Sequence, residues 1–180
     1  MIDFAAIVAA RQRLAANLVF TPCTQSLPFS RLTGLAAYLK LENLQATGSF
    51  KDRGSLNKML QLSDAERARG VIAASAGNHG QSVAYHAKRL GLKATIVMPE
   101  NAPMIKILST REHGAEVVLR GFGYDDAFAE ASARQQRDGL TFIHAFDDDE
   151  VIAGQGMVGL EMLEQVPELE AVVVPVGGGG

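Results

Sequence analysis

Lys51 directly follows Phe50 in the stretch TGSFKDRGSLNK, residues 47 to 58, where a Thr-Gly-Ser turn leads into a segment that can continue as a helix. A lysine held against apolar surface gives up its proton more readily than a solvated one, and the neutral amine is a nucleophile. Lys51 is therefore a candidate for covalent chemistry with a carbonyl group. The alternative is an ordinary surface lysine in the first turn of a helix.

A second candidate is the stretch SAGNHG at residues 75 to 80, which begins at the last residue of the apolar segment VIAAS and continues beyond it. A turn of small residues between a strand and a helix points several unpaired backbone N–H groups at one place, which suits a carboxylate or a phosphate. The polar side chains of Asn78 and His79 belong to the same turn. The alternative is a plain turn in which Ser75 or Asn78 caps the helix.

Four consecutive glycines, Gly177, Gly178, Gly179 and Gly180, follow the apolar segment AVVVPV. Bare backbone amides at the end of a buried strand can wrap a phosphate group, whereas the alternative is a flexible end. A reactive amine, an anion seat and a phosphate cradle are together what an enzyme that uses pyridoxal phosphate requires. The three stretches therefore predict a site for that cofactor.

Short β-branched segments alternate with longer segments of helical periodicity along the chain. The predicted strands are AAYLKLE, VIAAS, ATIVMPE, AEVVLR, TFIHAF and AVVVPV. The predicted helices are NHGQSVAYHAKRLG, PMIKILSTREHG, YDDAFAEASARQQRDG and VIAGQGMVGLEMLEQV, preceded by a helix that starts after Asp3. This alternation predicts an α/β fold with parallel sheets flanked by helices, which bind ligands beyond the carboxyl ends of their strands.

The composition excludes several classes of protein. Of the 180 residues, 47% are hydrophobic and 21% are charged, and the net charge of -3 leaves no electrostatic footprint for nucleic acid. No apolar run is long enough to span a bilayer, and the N-terminus lacks the pattern of an export signal. The single cysteine, Cys23, fits a reducing compartment. We therefore expect a cytoplasmic protein without nucleic-acid or membrane partners.

An acidic run at residues 147 to 150 precedes the last predicted helix. Acidic side chains at that place cap a helix and complement its dipole, which is the interpretation preferred here over a metal site. His86, His113 and His144 lack the spacing of metal ligands. We expect no bound metal.

The stretches TGSFKDRG, SAGNHGQ and VPVGGGG, in this order and at these separations, resemble the fold-type II pyridoxal-phosphate enzymes, and most closely their threonine/serine dehydratase group. The resemblance extends over nearly the whole chain. It includes YLKLENLQATGSFK, ERARGVIAASAGNHGQSVAY, ATIVMPENAP, GAEVVLRG and VIAGQGMVGLE.

The resemblance implies a role for each stretch. Lys51 is expected to form the Schiff base with pyridoxal phosphate, and Phe50 to pack beside the cofactor ring. Asn78 is expected to hydrogen-bond the O3′ oxygen of the cofactor, and residues 177 to 180 to bind its phosphate. The residues expected around the substrate carboxylate are Ser75, Ala76, Gly77, Asn78 and His79.

The resemblance also implies β-elimination of water from L-threonine or L-serine, with Lys51 as the base that removes the Cα proton and with a 2-keto acid and ammonia as products. His79 stands where cysteine synthases and most threonine synthases carry threonine, which favours a dehydratase. Ala76 stands where serine racemases carry a serine, which argues against racemisation. Serine racemase and a threonine synthase-like enzyme are the alternatives, and Asp52, where many dehydratases have an apolar residue, leaves the substrate preference open.

In the resembled family the glycine loop lies near the middle of the chain, whereas this sequence ends within it. We interpret residues 1–62 and 150–180 as parts of a large cofactor-binding domain, and residues 63–149 as a smaller α/β domain. The resemblance implies that the full-length enzyme is a homo-oligomer with a small amino-acid substrate. The 180 residues alone are expected to bind the cofactor weakly. A noncatalytic fragment and a doubly wound nucleotide-binding domain, in which Lys51 is incidental, are the remaining alternatives.

Overall fold

The computed structural model describes residues 2–177, which form eight α-helices and six β-strands. The helices are α1 (Phe4–Leu14), α2 (Leu27–Thr33), α3 (Lys51–Leu60), α4 (Asp64–Arg69), α5 (Asn78–Arg89), α6 (Met104–Glu112), α7 (Tyr124–Asp138) and α8 (Asp149–Gln165), with one 3-10 turn at Glu42–Leu44. The strands are β1 (Cys23–Gln25), β2 (Tyr38–Lys40), β3 (Val71–Ala74), β4 (Ala94–Met98), β5 (Glu116–Leu119) and β6 (Thr141–Phe142). The predicted α/β class is confirmed, and so are the five predicted helices.

Four strands form a parallel sheet in the order β5-β4-β3-β6. Val71 of β3 pairs with Ala94 of β4 on one side and with Thr141 of β6 on the other. All four residues of β3 are buried, as expected for a strand that is covered on both faces. Because parallel strands end at the same edge, the loops that follow β3 and β6 lie side by side.

Helices cover both faces of this sheet. Side chains alternate between the two faces along each strand, so neighbouring residues of one strand pack against different helices. On one face, Ala73 and Ile96 pack in a buried cluster with Val83 of α5. On the other face, Ile72 packs in a second cluster with Ala127 of α7. The sheet is therefore the middle layer of a three-layer arrangement.

A further core joins α1, α3 and α8. It consists of Ala10, Leu14, Leu56, Ala153 and Met157. Met59 of α3 and Val151 of α8 belong instead to the cluster on the α5 face of the sheet. The helix that begins at Lys51 is thus held both by its helical neighbours and by the sheet.

Acidic side chains cap two helices as predicted. Asp3 accepts a hydrogen bond from the Ala6 N–H at 2.8 Å at the start of α1. Asp148 accepts from the N–H groups of Glu150 and Val151 at 2.9 and 3.1 Å at the start of α8. Within residues 2–177, no cluster of three or more His, Cys, Asp or Glu side chains is placed to hold a metal ion. Across the same residues, no helix combines the length and apolarity needed to cross a membrane.

Two strand predictions need correction. β2 pairs antiparallel with β1, with Leu39 opposite Thr24, instead of joining the parallel sheet. Residues 171–176, predicted as a strand, have no strand conformation, because no other strand among residues 2–177 lies beside them to form a ladder. Val173 in this segment is 96% exposed.

The helices α3 and α8 cross at two glycines. A Cβ atom at Gly154 would lie 2.6 Å from the carbonyl oxygen of Arg53 and 2.8 Å from the Cα of Gly54. A Cβ atom at Gly54 would lie 2.7 Å from the carbonyl oxygen of Val151. These distances are shorter than van der Waals contact, so the helices approach this closely because both residues are glycine. The crossing fixes the first turn of α3, where Lys51 lies.

We expect Gly154→Ala to lower the free energy of unfolding by about 1–3 kcal/mol, because the added methyl group forces α3 and α8 apart. Gly159→Ala is the matched control in the same helix. Nothing lies within 4 Å of a Cβ atom at Gly159, and alanine favours helix over glycine. Urea unfolding of both variants and the parent chain checks the prediction. Equal stability of the two variants would show that the crossing tolerates a side chain.

Candidate active site

Lys51 is the first residue of α3 and is partly buried. Its Nζ donates a hydrogen bond to the carbonyl oxygen of Ala145 at 2.6 Å and lies 5.1 Å from the centroid of the Phe50 ring. Burial lowers the pKa of the Lys51 amine, because removal from water disfavours the charged form. The neutral, nucleophilic amine is therefore more populated near neutral pH than it is in a solvated lysine.

Asp52 holds the turn that precedes Lys51. Its carboxylate accepts hydrogen bonds from the backbone N–H of Thr47 at 2.9 Å and from Thr47 Oγ1 at 2.6 Å. Asp52 is fully buried, and its Oδ1 lies 3.4 Å from Nε2 of His86, which has no hydrogen-bond partner among residues 2–177. Burial alone raises the pKa of the Asp52 carboxyl, but the contacts with His86 and Thr47 outweigh it and hold the pKa below its usual value. Asp52 therefore acts in the structure as an anchor for the turn.

The turn after β3 leaves the start of α5 without a side-chain cap. Gly77 occupies the N-cap position, and Ser75 Oγ accepts a hydrogen bond from the Gly77 N–H at 3.2 Å. The alternative in which Ser75 or Asn78 caps the helix is therefore wrong. Because the first N–H groups of a helix have no partners within it, α5 presents donors at the carboxyl end of β3.

His79 is buried in the first turn of α5. Its Nε2 lies 2.8 Å from the carbonyl oxygen of Ile143, which can only accept, so Nε2 carries the proton. Its Nδ1 is buried without a hydrogen-bond partner among residues 2–177. Burial is the main cause that lowers the pKa of His79 to about 4, so the imidazole is neutral at pH 7. Nδ1 can therefore accept a hydrogen bond, but none of the described residues donates one to it.

The loop after β6 brings Lys51 and His79 to one place. The carbonyl oxygen of Ile143 contacts His79, and the carbonyl oxygen of Ala145, two residues further, accepts from Lys51. His144, between them, accepts two backbone N–H groups of the same loop on its Nδ1 and so fixes the loop conformation. The predicted meeting of Lys51 with the turn after β3 therefore occurs at the carboxyl edge of the sheet.

The buried His79 predicts a loss of stability as the pH falls. Its folded pKa of about 4 lies below the ordinary value of 6.5, so between these values the unfolded chain binds a proton that the folded chain does not. We expect the free energy of unfolding to fall by about 2 kcal/mol between pH 7 and pH 5 from this residue alone. Urea unfolding at both pH values measures the fall. His79→Gln cannot titrate there and should lack this component, and an unchanged pH dependence in that variant would contradict the assignment.

The other predicted site residues lie in different environments. Ala76 packs against the core of the sheet. Asn78 is exposed at the start of α5, and Gly177 is exposed at the end of the described chain. Residues 178–180 lie outside the described residues. The glycine cradle for a phosphate group therefore stays a prediction.

The groups at this edge fit pyridoxal phosphate. The cofactor needs an amine for imine formation, which Lys51 offers, and donors for its anionic oxygens, which Asn78 and the backbone of α5 offer. The buried Nδ1 of His79 is left without a partner among the described residues. The polar groups at this edge are thus incompletely satisfied by residues 2–177.

Lys106 of α6 also lies at this edge, and sequence reasoning missed it. Its Nζ donates to Asn78 Oδ1 at 3.2 Å and to Gln81 Oε1 at 3.1 Å. No local motif marks this lysine, because the contact depends on how α6 packs against α5.

Sequence reasoning also missed a cluster of buried charged side chains beside the first turn of α3. The Arg53 guanidinium contacts carboxylate oxygens of Glu42 at 2.7 Å and of Glu161 at 2.6 Å. Lys40 Nζ lies 2.6 Å from Glu161. Arg53 is completely buried and Glu161 nearly so. Two cations and two carboxylates thus neutralise one another beside the first turn of α3.

Comparison with known proteins identifies the family to which this chain belongs. Residues 15–180 match the family described as pyridoxal-phosphate dependent enzyme. The chain belongs to this family. The predicted fold-type II architecture and the dependence of the family on pyridoxal phosphate are thereby confirmed.

Individual relatives are similar over nearly all of this chain. The L-threonine ammonia-lyase of Thermotoga maritima is 54% identical over 170 residues, which are 94% of this chain and 42% of that protein. The processed form of threonine deaminase isoform 2 from Solanum lycopersicum has a TM-score of 0.88 and 40% identity, covering 98% of this chain and 50% of that one. Maize serine racemase has a TM-score of 0.94 and 34% identity, covering 99% of this chain and 54% of that one. The chain spans about half the length of these relatives.

Proposed function

We propose that this protein is a pyridoxal-phosphate dependent lyase that removes water from L-threonine or L-serine and releases a 2-keto acid and ammonia. The observation that carries the proposal is the partly buried amine of Lys51, which burial makes easier to deprotonate and which lies at the same edge as the donors of α5. Two similar proteins are named L-threonine ammonia-lyase and threonine deaminase, which supports the same reaction.

Lys51 removes the Cα proton of the substrate and holds it, because its amine is readily neutral and therefore basic. The substrate carboxylate binds at the turn after β3. The groups that hold it are Ser75, Ala76, Gly77, Asn78 and His79, through backbone N–H groups and polar side chains. When bound, pyridoxal phosphate supplies an electron sink for the charge that develops at Cα. The β-hydroxyl group then leaves with a proton as water, and hydrolysis of the released enamine consumes one water molecule and gives the 2-keto acid and ammonia.

The cofactor is held by groups on both sides of Lys51. The Phe50 ring, 5.1 Å from the Lys51 Nζ, would pack beside the pyridine ring of the bound cofactor. Asn78 would donate its side-chain N–H to the phenolic oxygen O3′. The backbone amides of Gly177, Gly178, Gly179 and Gly180 would hold the phosphate group.

Racemisation is the second candidate reaction, because the fold is also similar to that of maize serine racemase. A racemase needs a proton donor on the face of the substrate opposite Lys51. Ala76 has no hydroxyl group and packs against the core, so it cannot be that donor. This observation favours elimination over racemisation. A threonine synthase-like reaction is the third candidate, and His79 argues against it.

The test extends the chain to the length of its relatives. The second half of the Thermotoga maritima L-threonine ammonia-lyase is fused after Gly180, and the fusion is loaded with pyridoxal phosphate. We expect release of a 2-keto acid and ammonia from L-threonine or L-serine. The same fusion with Lys51→Ala is the control. A folded fusion that holds the cofactor but converts neither amino acid would contradict the proposal, and formation of D-serine from L-serine would favour the racemase.

We also propose the domain organisation, the substrate class, the oligomeric state and the cellular location of the enzyme. Residues 1–62 and 150–180 belong to a large cofactor-binding domain and residues 63–149 to a smaller α/β domain, a division supported by the helical core that α1, α3 and α8 form beside the sheet. The substrate is a small amino acid, and the full-length enzyme is a homo-oligomer. A cytoplasmic location fits the single free Cys23.

A further inference from the structure

Lys106 links α6 to two amide side chains on one face of α5. Its ammonium group lies 3.2 Å from Asn78 Oδ1 and 3.1 Å from Gln81 Oε1. Asn78 and Gln81 are three residues apart, so their side chains project from adjacent positions of the same helical face. Two oxygens fix the ammonium more tightly than one would.

The chemistry of lysine determines which way the Asn78 amide points. An ammonium group has three donors and no acceptor, so only the oxygen of an amide can face it. The Nδ2 group of Asn78 is therefore turned away from Lys106. An amide NH2 group can only donate, and the uncapped backbone N–H groups of α5 are donors too. Asn78 thus adds a donor to a set that already favours an anionic oxygen.

We propose that Lys106 is a positioning residue that fixes the Asn78 amide so that its NH2 group donates to the phenolic oxygen of pyridoxal phosphate. This inference rests on the proposed function, in which Asn78 contacts that oxygen. Lys106 also places a positive charge behind the amide, which stabilises the phenolate further. Without Lys106 the amide rotates freely, and half of its orientations present an acceptor to the phenolate.

The first test uses the cofactor-free chain and Lys106→Met, which keeps an unbranched side chain of similar length but removes the donor. The heteronuclear NOE of the Asn78 side-chain amide, measured by NMR, reports the restraint of that group. We expect it to fall in Lys106→Met and to recover in Lys106→Arg, which keeps a donor. Lys88→Met is the matched control, because Lys88 also links α5 to α6, through the carbonyl oxygen of Glu112 at 3.2 Å.

The second test uses the cofactor-bound chain and follows visible absorbance against pH. A weaker donor to the phenolic oxygen and the loss of a nearby cation both make the phenolate less stable. Both changes therefore favour the protonated form of the imine that joins Lys51 to the cofactor. We therefore expect Lys106→Met to raise the pH midpoint of the absorbance change by about 0.5 pH unit or more. Lys88→Met should leave this midpoint unchanged. Lys51, His79 and His144 are present in every variant, so their titrations do not account for a difference.

The outcomes separate this inference from the proposed function. A Lys106→Met chain with unchanged Asn78 restraint, or with an unchanged midpoint, would overturn the positioning role. An equal effect of Lys88→Met would overturn it too, since general docking of α6 would then be the cause. A parent chain that binds no pyridoxal phosphate at Lys51 would contradict the proposed function, and the Asn78 NMR measurement alone would then decide whether Lys106 restrains this amide.

Discussion

Lys51→Ala is expected to remove both the visible absorbance of bound pyridoxal phosphate and the turnover of L-threonine and L-serine. The alanine side chain cannot form an imine and cannot accept the Cα proton, so one substitution abolishes two roles of the same amine. The position is specific because the Lys51 Nζ is held 2.6 Å from the Ala145 carbonyl oxygen, beside the start of α5. Absorbance spectra of the chain with cofactor, and keto-acid release by the fused enzyme, measure the two losses.

Lys58→Ala is the matched control for this prediction. Lys58 lies on the same helix, and its Nζ pairs with Asp148 at 2.9 Å. Its loss removes a partly buried ion pair away from the Lys51 amine and is expected to leave the cofactor absorbance in place. Lys51→Arg keeps a positive charge without a nucleophilic amine, so it should behave as Lys51→Ala does. Retention of the absorbance in either Lys51 variant would contradict the assignment.

Arg53→Met is expected to destabilise the chain by about 3–5 kcal/mol, because it leaves buried carboxylates without their main partner. Arg53 donates to both oxygens of Glu42 and to both oxygens of Glu161 at 2.6–2.8 Å. Burial raises the pKa of Glu42, but the bonds from Arg53 and Thr21 outweigh it and hold the pKa below its usual value. Urea unfolding measures the loss of stability.

Charge removal elsewhere provides the control for Arg53→Met. Arg137 pairs with Asp138 at the surface at 2.6 Å, and both side chains are exposed. Arg137→Met should change the unfolding free energy little, because water and salt screen such pairs. The double variant Arg53→Met with Glu161→Gln should be destabilised by less than the sum of the two single changes, since one removed charge relieves the other. Additive effects would show that Arg53 and Glu161 do not act as a pair.

Local sequence patterns predicted much of the fold and the meeting place of the site. The alternation of β-branched and helical segments predicted the parallel sheet, and the rule that ligands bind at the carboxyl ends of strands placed the turn after β3 at the site. Lys51 begins α3 as the Thr-Gly-Ser turn suggested. Asp148 caps α8 because an acidic residue before a helix accepts its first N–H groups.

Long-range partners could not be predicted in the same way. Lys51 contacts a carbonyl oxygen 94 residues further along the chain, and Arg53 contacts Glu161 across 108 residues. A backbone carbonyl carries no residue-type signal, and charged residues in helices are usually at the surface. The strand predicted at residues 171–176 shows the same limit, because strand conformation depends on a neighbour that no local pattern supplies.

The role of Lys51 is tested directly when the chain is reduced with borohydride in the presence of pyridoxal phosphate and the adduct is mapped by peptide mass spectrometry. The sequence has six lysines, Lys40, Lys51, Lys58, Lys88, Lys93 and Lys106, so the result discriminates among them. We expect one modified peptide, with the adduct on Lys51. Adducts spread over the surface lysines, or an unmodified Lys51, would contradict it.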